Sequence, residues 1–277
     1  MRLDPLSVFD VQTKRLHEYK RQLLNALQII STYNILKENP NSDILPQTYI
    51  FGAKAASGYY MAKEIIKLIC YISKDIEANP RIREKLRVVF MENYNVSMAE
   101  VLIPCADISE QISLAGKEAS GTSNMKFMIN GALTVGTMDG ANVEMSEALA
   151  HDDIYIFGLN TEEVDDLWRR GYNASDYYNA SPRLKGAVDA LRDGFCGLSF
   201  SEMYSYLVSG KGISDPYMCL ADFDSYSRVH DRMLDDYRDR KAWCKKSLHN
   251  ISSAGIFSSD RSIEEYAKNI WGLAKVK

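Results

Sequence analysis

The chain has 277 residues, of which 46% are hydrophobic and 25% are charged, a composition that is ordinary for a soluble globular protein. A formal net charge of −4 argues against a dedicated nucleic-acid-binding protein. No apolar run reaches the length of a membrane span, and residues 1–13 lack the apolar core of a signal peptide. We therefore expect a cytoplasmic protein that has neither nucleic acid nor membrane as a partner.

The cysteines and histidines show no pattern of paired ligands. The five cysteines are odd in number and form no CxxC pair, which favours a reducing compartment over a disulfide framework. The four histidines do not combine with the cysteines at a metal-ligand spacing. The sequence therefore predicts no metal site.

Short apolar runs alternate with amphipathic stretches through the first 160 residues. The runs predict strands at residues 8–11, 49–52, 86–91, 101–104, 133–137 and 154–159. Apolar side chains at spacings of three and four predict helices from about residue 16 to 34 and at residues 58–76, and a further helix begins near Ser123. Strands separated by helices imply right-handed βαβ units, so we predict an α/β fold with a doubly wound, Rossmann-like parallel sheet.

The remainder of the chain has a helical pattern. Helices are predicted at residues 162–170, 183–191, 225–243 and 262–271. There is no internal repeat, low-complexity segment or long linker. We expect residues 1–160 to form a Rossmann-like cofactor-binding core and residues 161–277 to form the helical remainder of the same domain.

One polar loop, residues 118–126 (EASGTSNMK), is predicted at the carboxyl ends of the strands, where open parallel sheets bind ligands. Its residues 120–123 are small and suit the start of a helix, whose unpaired N–H groups attract phosphate. Lys126 would lie in the first turn, where the helix dipole and its apolar neighbours disfavour the ammonium form. A neutral amine that attacks an aldehyde, beside a phosphate cradle, suits pyridoxal phosphate. The alternative interpretation is an ordinary solvated lysine.

Two further groups are predicted at the same edge of the sheet. The basic residues Lys14, Arg15, His17, Lys20 and Arg21 follow the first strand, and arginine and lysine at this density can grip phosphate. Spacing alone does not separate this reading from the exposed first turns of a helix.

Tyr94 follows the predicted buried strand at residues 86–91, where its phenol could contribute to a site or simply pack. The run GTMDGANVEM contains the turn signal Asp139-Gly140, and we interpret it as a plain connection rather than a binding loop.

Four longer segments resemble the α-glucan (glycogen, starch and maltodextrin) phosphorylases. They are VQTKRLHEYKRQLLNAL, ENYNVSMAE, LIPCADISEQISLAGKEASGTSNMKFMINGAL and GTMDGANVEM. The resemblance runs from about Phe9 to Trp271, and EASGTSNMKFMINGA is its most specific part. It implies the C-terminal, Rossmann-like half of a two-domain, glycosyltransferase-B type architecture, followed by C-terminal helices. We expect the N-terminal domain of that architecture to be absent from this chain.

The resemblance implies a retaining glycosyltransferase. Family members transfer the terminal glucosyl unit of an α-1,4-glucan to inorganic phosphate, which gives α-glucose 1-phosphate. They use pyridoxal phosphate, whose 5′-phosphate exchanges protons with the substrate phosphate. They are homodimers, mostly through the N-terminal half.

The matching motifs also imply roles at the cofactor. Lys126 would be the Schiff-base lysine, and Tyr94 would lie beside the cofactor. Thr122 and the backbone of Ser123 would hold the cofactor phosphate, with Lys14 as its counter-charge.

Roles at the substrate follow in the same way. Arg15 and Lys20 would hold the substrate phosphate. The residues that would line the glucose pocket are Glu118, Ala119, Ser120 and Gly121.

Two alternatives remain open, because family members are far longer than this chain. The chain could be a truncated, non-catalytic fragment that binds cofactor or sugar. It could also belong to a nucleotide-sugar glycosyltransferase of the same architecture, which would need no Schiff-base lysine.

Overall fold

A six-stranded, entirely parallel sheet forms the centre of the molecule. The structure is a computed structural model, and it describes residues 3–149, 151–209 and 213–274. The strands are β1 (Val8–Thr13), β2 (Gln47–Gly52), β3 (Leu86–Met91), β4 (Ile108–Gln111), β5 (Leu133–Gly136) and β6 (Tyr155–Ile156). Their order in the sheet is β3-β2-β1-β4-β5-β6. This order confirms the predicted doubly wound α/β fold, and it places a topological switch between β1 and β4.

Helices cover both faces of the sheet and continue to the end of the described chain. They are α1 (Gln22–Glu38), α2 (Tyr60–Glu77), α3 (Val96–Leu102), α4 (Ser123–Ile129), α5 (Asn142–Ala148), α6 (Thr161–Arg169), α7 (Ala174–Ala180), α8 (Pro182–Asp193), α9 (Ser201–Tyr204), α10 (Cys219–Arg238), α11 (Arg240–Ser253) and α12 (Ser259–Asn269). Short helical segments of other geometry lie at Glu18–Lys20, His151–Asp153, Ser205–Ser209 and Ala254–Phe257.

The largest hydrophobic cluster joins the sheet region to the helical second half. It includes Leu27 of α1, Leu68 of α2, Leu184 of α8 and Phe223 of α10, all buried. Helix α1 is buried along most of its length because it packs against α2, α8 and α10. In the described part of the chain, no helix combines the length and the apolar character that crossing a membrane requires.

The strand predicted at residues 101–104 is wrong. Those residues form the end of α3 and the turn after it, and the fourth strand lies at Ile108–Gln111 instead. Ser109, Glu110 and Gln111 are all buried, so this strand has no apolar run to mark it. One of these polar side chains has a distant partner, since the Tyr226 hydroxyl of α10 donates to Glu110 Oε1 at 2.6 Å.

Other boundaries differ in smaller ways. The helix predicted at residues 225–243 is two helices, because Asp239 ends α10 and its side chain accepts hydrogen bonds from the first backbone N–H groups of α11. The strand predicted at residues 154–159 is shortened to Tyr155–Ile156. The helix predicted from residue 16 begins at Gln22, after the separate turn Glu18–Lys20.

Candidate functional site

Two loops meet at the switch between β1 and β4. The loop after β1 carries Lys14, Arg15 and Lys20, and the loop after β4 carries residues 112–122. A backbone hydrogen bond joins them directly, from Leu114 N to the Tyr19 carbonyl at 3.0 Å. The structure thus brings together the basic run and the EASGTS loop, as the rule for parallel sheets predicts.

A cluster of opposite charges lies where the loops meet. Lys20 Nζ donates to Glu118 Oε2, and Lys14 Nζ lies 3.9 Å from the same oxygen. The Tyr19 hydroxyl also donates to Glu118 Oε2, at 3.5 Å. The side chains of Lys14 and Lys20 are 13% exposed and that of Glu118 is 15% exposed, so water screens these charges only partly.

The two lysines respond differently to this environment. Burial lowers the pKa of Lys14 to about 8, and the nearby Glu118 carboxylate opposes that shift only in part. Burial acts in the same direction on Lys20, but its hydrogen bonds and charge interactions with Glu118 and Tyr19 together outweigh burial and raise its pKa. Lys14 is therefore a weakly held ammonium, while Lys20 is a firmly charged one.

Asp139 organises the loop that holds Glu118, although the run that contains Asp139 was interpreted from sequence as a plain connection. Its carboxylate is 6% exposed and accepts hydrogen bonds from Gly116 N and Glu118 N, both at 2.9 Å, and from Ser113 Oγ at 2.8 Å. The missed signal was its position, since Asp139 follows β5 at the same edge of the sheet as the other site residues.

The position after Asp139 requires a glycine, Gly140. Its φ is +53°, and an added Cβ would lie 2.5 Å from the Ser120 carbonyl oxygen. That oxygen also accepts a hydrogen bond from Ala141 N at 2.8 Å. The DGA turn therefore supports the EASG backbone by direct contact.

Lys126 lines a cavity of about 580 Å³, and Lys14, Arg15 and Tyr94 line the same cavity. The other walls come from the FGAKAAS loop after β2 and from the start of α3. The volume is in the range of small-molecule sites. Four residues proposed from sequence thus share one cavity.

The expectation that apolar neighbours shield Lys126 is wrong. Lys126 is exposed, whereas Phe127 and Met128 are buried. Neighbouring side chains on a helix point in different directions, so the apolar residues of α4 face the core while the lysine faces outward. The helix itself begins at Ser123, as predicted.

The small residues of the loop lie beside the charged cluster. Gly121 has a φ of +81°, and an added Cβ would lie 3.4 Å from Lys14 Nζ. Ala119 and Ser120 are exposed. Thr122 is the exposed residue at the start of α4, and its hydroxyl makes no capping hydrogen bond. Ser123 Oγ donates to Gln111 Oε1 at 3.4 Å.

Arg21, unlike the rest of the basic run, does not belong to the site. Its side chain is fully buried, and its Nη1 lies 2.7 Å from Asp222 Oδ2. Its Nε donates to the Ile112 carbonyl at 2.7 Å. Arg21 therefore ties the loop after β4 to helix α10, and the basic run brings Lys14, Arg15 and Lys20 to the site.

One buried group has the composition of a metal site. Asp10, Glu110 and His230 offer ligand atoms within 4.8 Å of one another, and His230 Nε2 lies 3.0 Å from Asp10 Oδ2. Burial, followed by the nearby Asp10 carboxylate, raises the pKa of Glu110 well above its ordinary value. This shift favours the protonated form of Glu110 beside the Asp10 carboxylate.

The sheet order and the cation-lined cavity define a Rossmann-like α/β domain with a cavity at the edge of the sheet where such folds bind ligands. The family model described as carbohydrate phosphorylase matches residues 1–273. The chain belongs to the carbohydrate phosphorylase family.

Individual relatives agree with this assignment. The muscle form of glycogen phosphorylase from Rattus norvegicus is 49% identical over 271 residues. The liver and brain forms from Homo sapiens are each 48% identical over 273 residues. These matches cover 98% to 99% of this chain but 32% of each relative. The chain spans about a third of the length of the curated relatives it matches.

Proposed function

We propose that this chain provides the cofactor- and phosphate-binding part of a glycogen or α-glucan phosphorylase. The reaction transfers a terminal α-1,4-linked glucosyl unit to inorganic phosphate and releases α-glucose 1-phosphate. The observation that carries the proposal is the shared cavity of Lys14, Arg15, Tyr94 and Lys126 beside the Lys20–Glu118 pair. Membership of the carbohydrate phosphorylase family supports the same reaction.

The cavity fits pyridoxal phosphate by its size and its donor set. Lys126 supplies an accessible amine, Lys14 supplies a cation for the cofactor phosphate, and Tyr94 supplies an aromatic wall. Thr122 lies at the start of α4, where its hydroxyl makes no capping hydrogen bond, and it follows Gly121, which lies near the Lys14 ammonium. When bound, the cofactor supplies a phosphate group that can exchange protons with the substrate phosphate.

The chain's own residues make that exchange electrostatically possible. Two phosphate groups repel each other at short range, so cations must lie between or beside them. Arg15 and Lys20 are proposed to bind the substrate phosphate, since a guanidinium grips it in two-point fashion and an ammonium acts as a point charge. Glu118 and the backbone of residues 119–121 are proposed to orient the sugar through its hydroxyl groups.

Covalent trapping tests the cofactor assignment. The chain is incubated with pyridoxal phosphate and reduced with borohydride, and the modified lysine is located by mass spectrometry. We expect the label on Lys126. Lys14→Met and Lys126→Met are matched variants, because Lys14 has a lowered pKa and is the competing amine.

Label that persists at an undiminished level in Lys126→Met would overturn the cofactor assignment. Release of glucose 1-phosphate from glycogen and phosphate, measured in parallel, tests the reaction. Specific labelling without turnover would support the alternative of a cofactor-binding, non-catalytic fragment.

A further inference from the structure

The contacts of Glu118 in the charged cluster are divided unevenly between its two carboxylate oxygens. The contacts from Lys20, Lys14 and Tyr19 all converge on one oxygen of Glu118, Oε2. Among the described residues, no hydrogen bond or ion pair reaches the other oxygen, Oε1. Glu118 therefore occupies the two lysines with one oxygen and keeps an acceptor free.

The backbone of Glu118 is held by neighbouring loops, whereas its side chain is held by the charged cluster. Its N–H donates to the buried Asp139 carboxylate at 2.9 Å, and two residues later the Ser120 carbonyl accepts from Ala141 N at 2.8 Å. Beyond Cα, the hydrogen bonds and ion pairs of Glu118 with described residues are those to the two lysines and to Tyr19. The carboxylate can thus move by rotation of its own side chain, without a change in the loop.

An incoming phosphate needs the same ammonium groups that the carboxylate already holds. A phosphate on Lys20 or Lys14 would lie close to Glu118, and two anions in a partly buried site repel strongly. A sugar bound nearby offers hydroxyl donors, and a carboxylate accepts from them readily. Phosphate therefore repels the Glu118 carboxylate, whereas a sugar attracts it.

We propose that Glu118 is an internal competitor for the phosphate-binding lysines, and that a sugar strengthens phosphate binding by drawing its carboxylate away. This inference rests on the proposed function, because it takes Lys20 to bind the substrate phosphate and Lys14 to bind the cofactor phosphate. By linkage, phosphate strengthens sugar binding by the same factor. The carboxylate thus favours occupancy of the site by both ligands over occupancy by phosphate alone.

Binding of inorganic phosphate to the chain, measured by calorimetry with and without D-glucose, tests the inference. For Glu118→Gln, which keeps the shape but removes the charge, we expect phosphate to bind about fivefold to tenfold more tightly than to the unaltered chain. Glucose is expected to tighten phosphate binding in the unaltered chain and to have no effect in Glu118→Gln. The control is Glu38→Gln, which removes the same charge from an exposed position at the far end of α1.

Each result has a distinct meaning. Equal phosphate affinity in Glu118→Gln and the unaltered chain would overturn the competitor role while leaving the cation site in place. A glucose series that leaves phosphate affinity unchanged in the unaltered chain would overturn the coupling, and this arm needs no variant to fold. Absence of phosphate binding to all three proteins would remove the cation site, and with it both the inference and the proposed function.

Discussion

Replacement of Asp139 by asparagine should loosen the loop that carries Glu118. The carboxylate accepts three hydrogen bonds with two oxygens, whereas an asparagine side chain has one oxygen and one NH2 group. In either amide orientation, the NH2 group faces a donor that it cannot accept from. Hydrogen bonds to buried charged groups contribute roughly 1.5 to 3 kcal/mol each, and an unsatisfied buried donor adds to the loss.

We therefore expect Asp139→Asn to lower the free energy of unfolding by about 2 to 4 kcal/mol. For a chain of this size the melting temperature should fall by roughly 5 to 10 °C. Calorimetry measures that shift, and hydrogen exchange should show faster exchange of the Gly116 and Glu118 amides, which donate to Asp139.

The matched control is Asp193→Asn, because Asp193 is exposed at the end of α8 and no described residue forms an ion pair with it. If Asp139→Asn melts at the same temperature as this control and its two amides stay protected, the reasoning is refuted. The loop would then be held by its backbone alone.

Three other predictions concern buried charges. Arg21→Met should destabilise the fold by about 3 to 5 kcal/mol in urea unfolding, since it leaves Asp222 unpaired, and Asp222→Leu in the same chain should recover part of the loss. Lys14→Met should raise the free energy of unfolding at pH 7 by at most about 3 kcal/mol, because the unfolded chain holds the Lys14 proton more tightly than the folded chain does. The gain should shrink as the pH rises from about 8 towards 10.5. A gain that stays constant over this range would contradict the prediction. Because the folded chain holds the Glu110 proton more tightly than the unfolded chain does, native stability should fall as the pH rises above the ordinary glutamate pKa of 4.5. Glu110→Gln should remove this fall. Unfolding titrations that show the same pH dependence in both proteins would contradict the prediction.

Most of the sheet could be predicted because β1, β2, β3 and β5 carry runs of apolar side chains. The strand β4 could not, because its buried side chains include polar ones, and one of these, Glu110, pairs with Tyr226, which is far away in sequence. No local pattern reveals a partner 116 positions distant. The same limit explains Arg21, whose charge matched the basic run but whose partner, Asp222, lies on α10.

At the site, the sequence predicted which segments meet but not how the side chains face. The switch-point rule brought the loop after β1 to the loop after β4, and the contacts of Lys20 and Lys14 with Glu118 agree with it. Exposure of Lys126 was not predictable from its apolar neighbours, because a helix turns each successive side chain by about 100°. The role of Asp139 in the site was missed because the Asp139-Gly140 pair is a turn signal, which already explains an aspartate at that position.

Arg15 is a cation of the site that no described carboxylate holds. Two ammonium groups, Lys14 and Lys20, face two carboxylates, Glu118 and Asp139, so the partly buried cluster is close to neutral. Arg15 is exposed and forms no ion pair with another described residue, although it lines the same cavity. Under the proposed function, an approaching phosphate can therefore meet Arg15 as an available charge before it competes with Glu118 for the lysines. Because a guanidinium binds phosphate at two points, the geometry of that first contact is one that a lysine at position 15 would not reproduce.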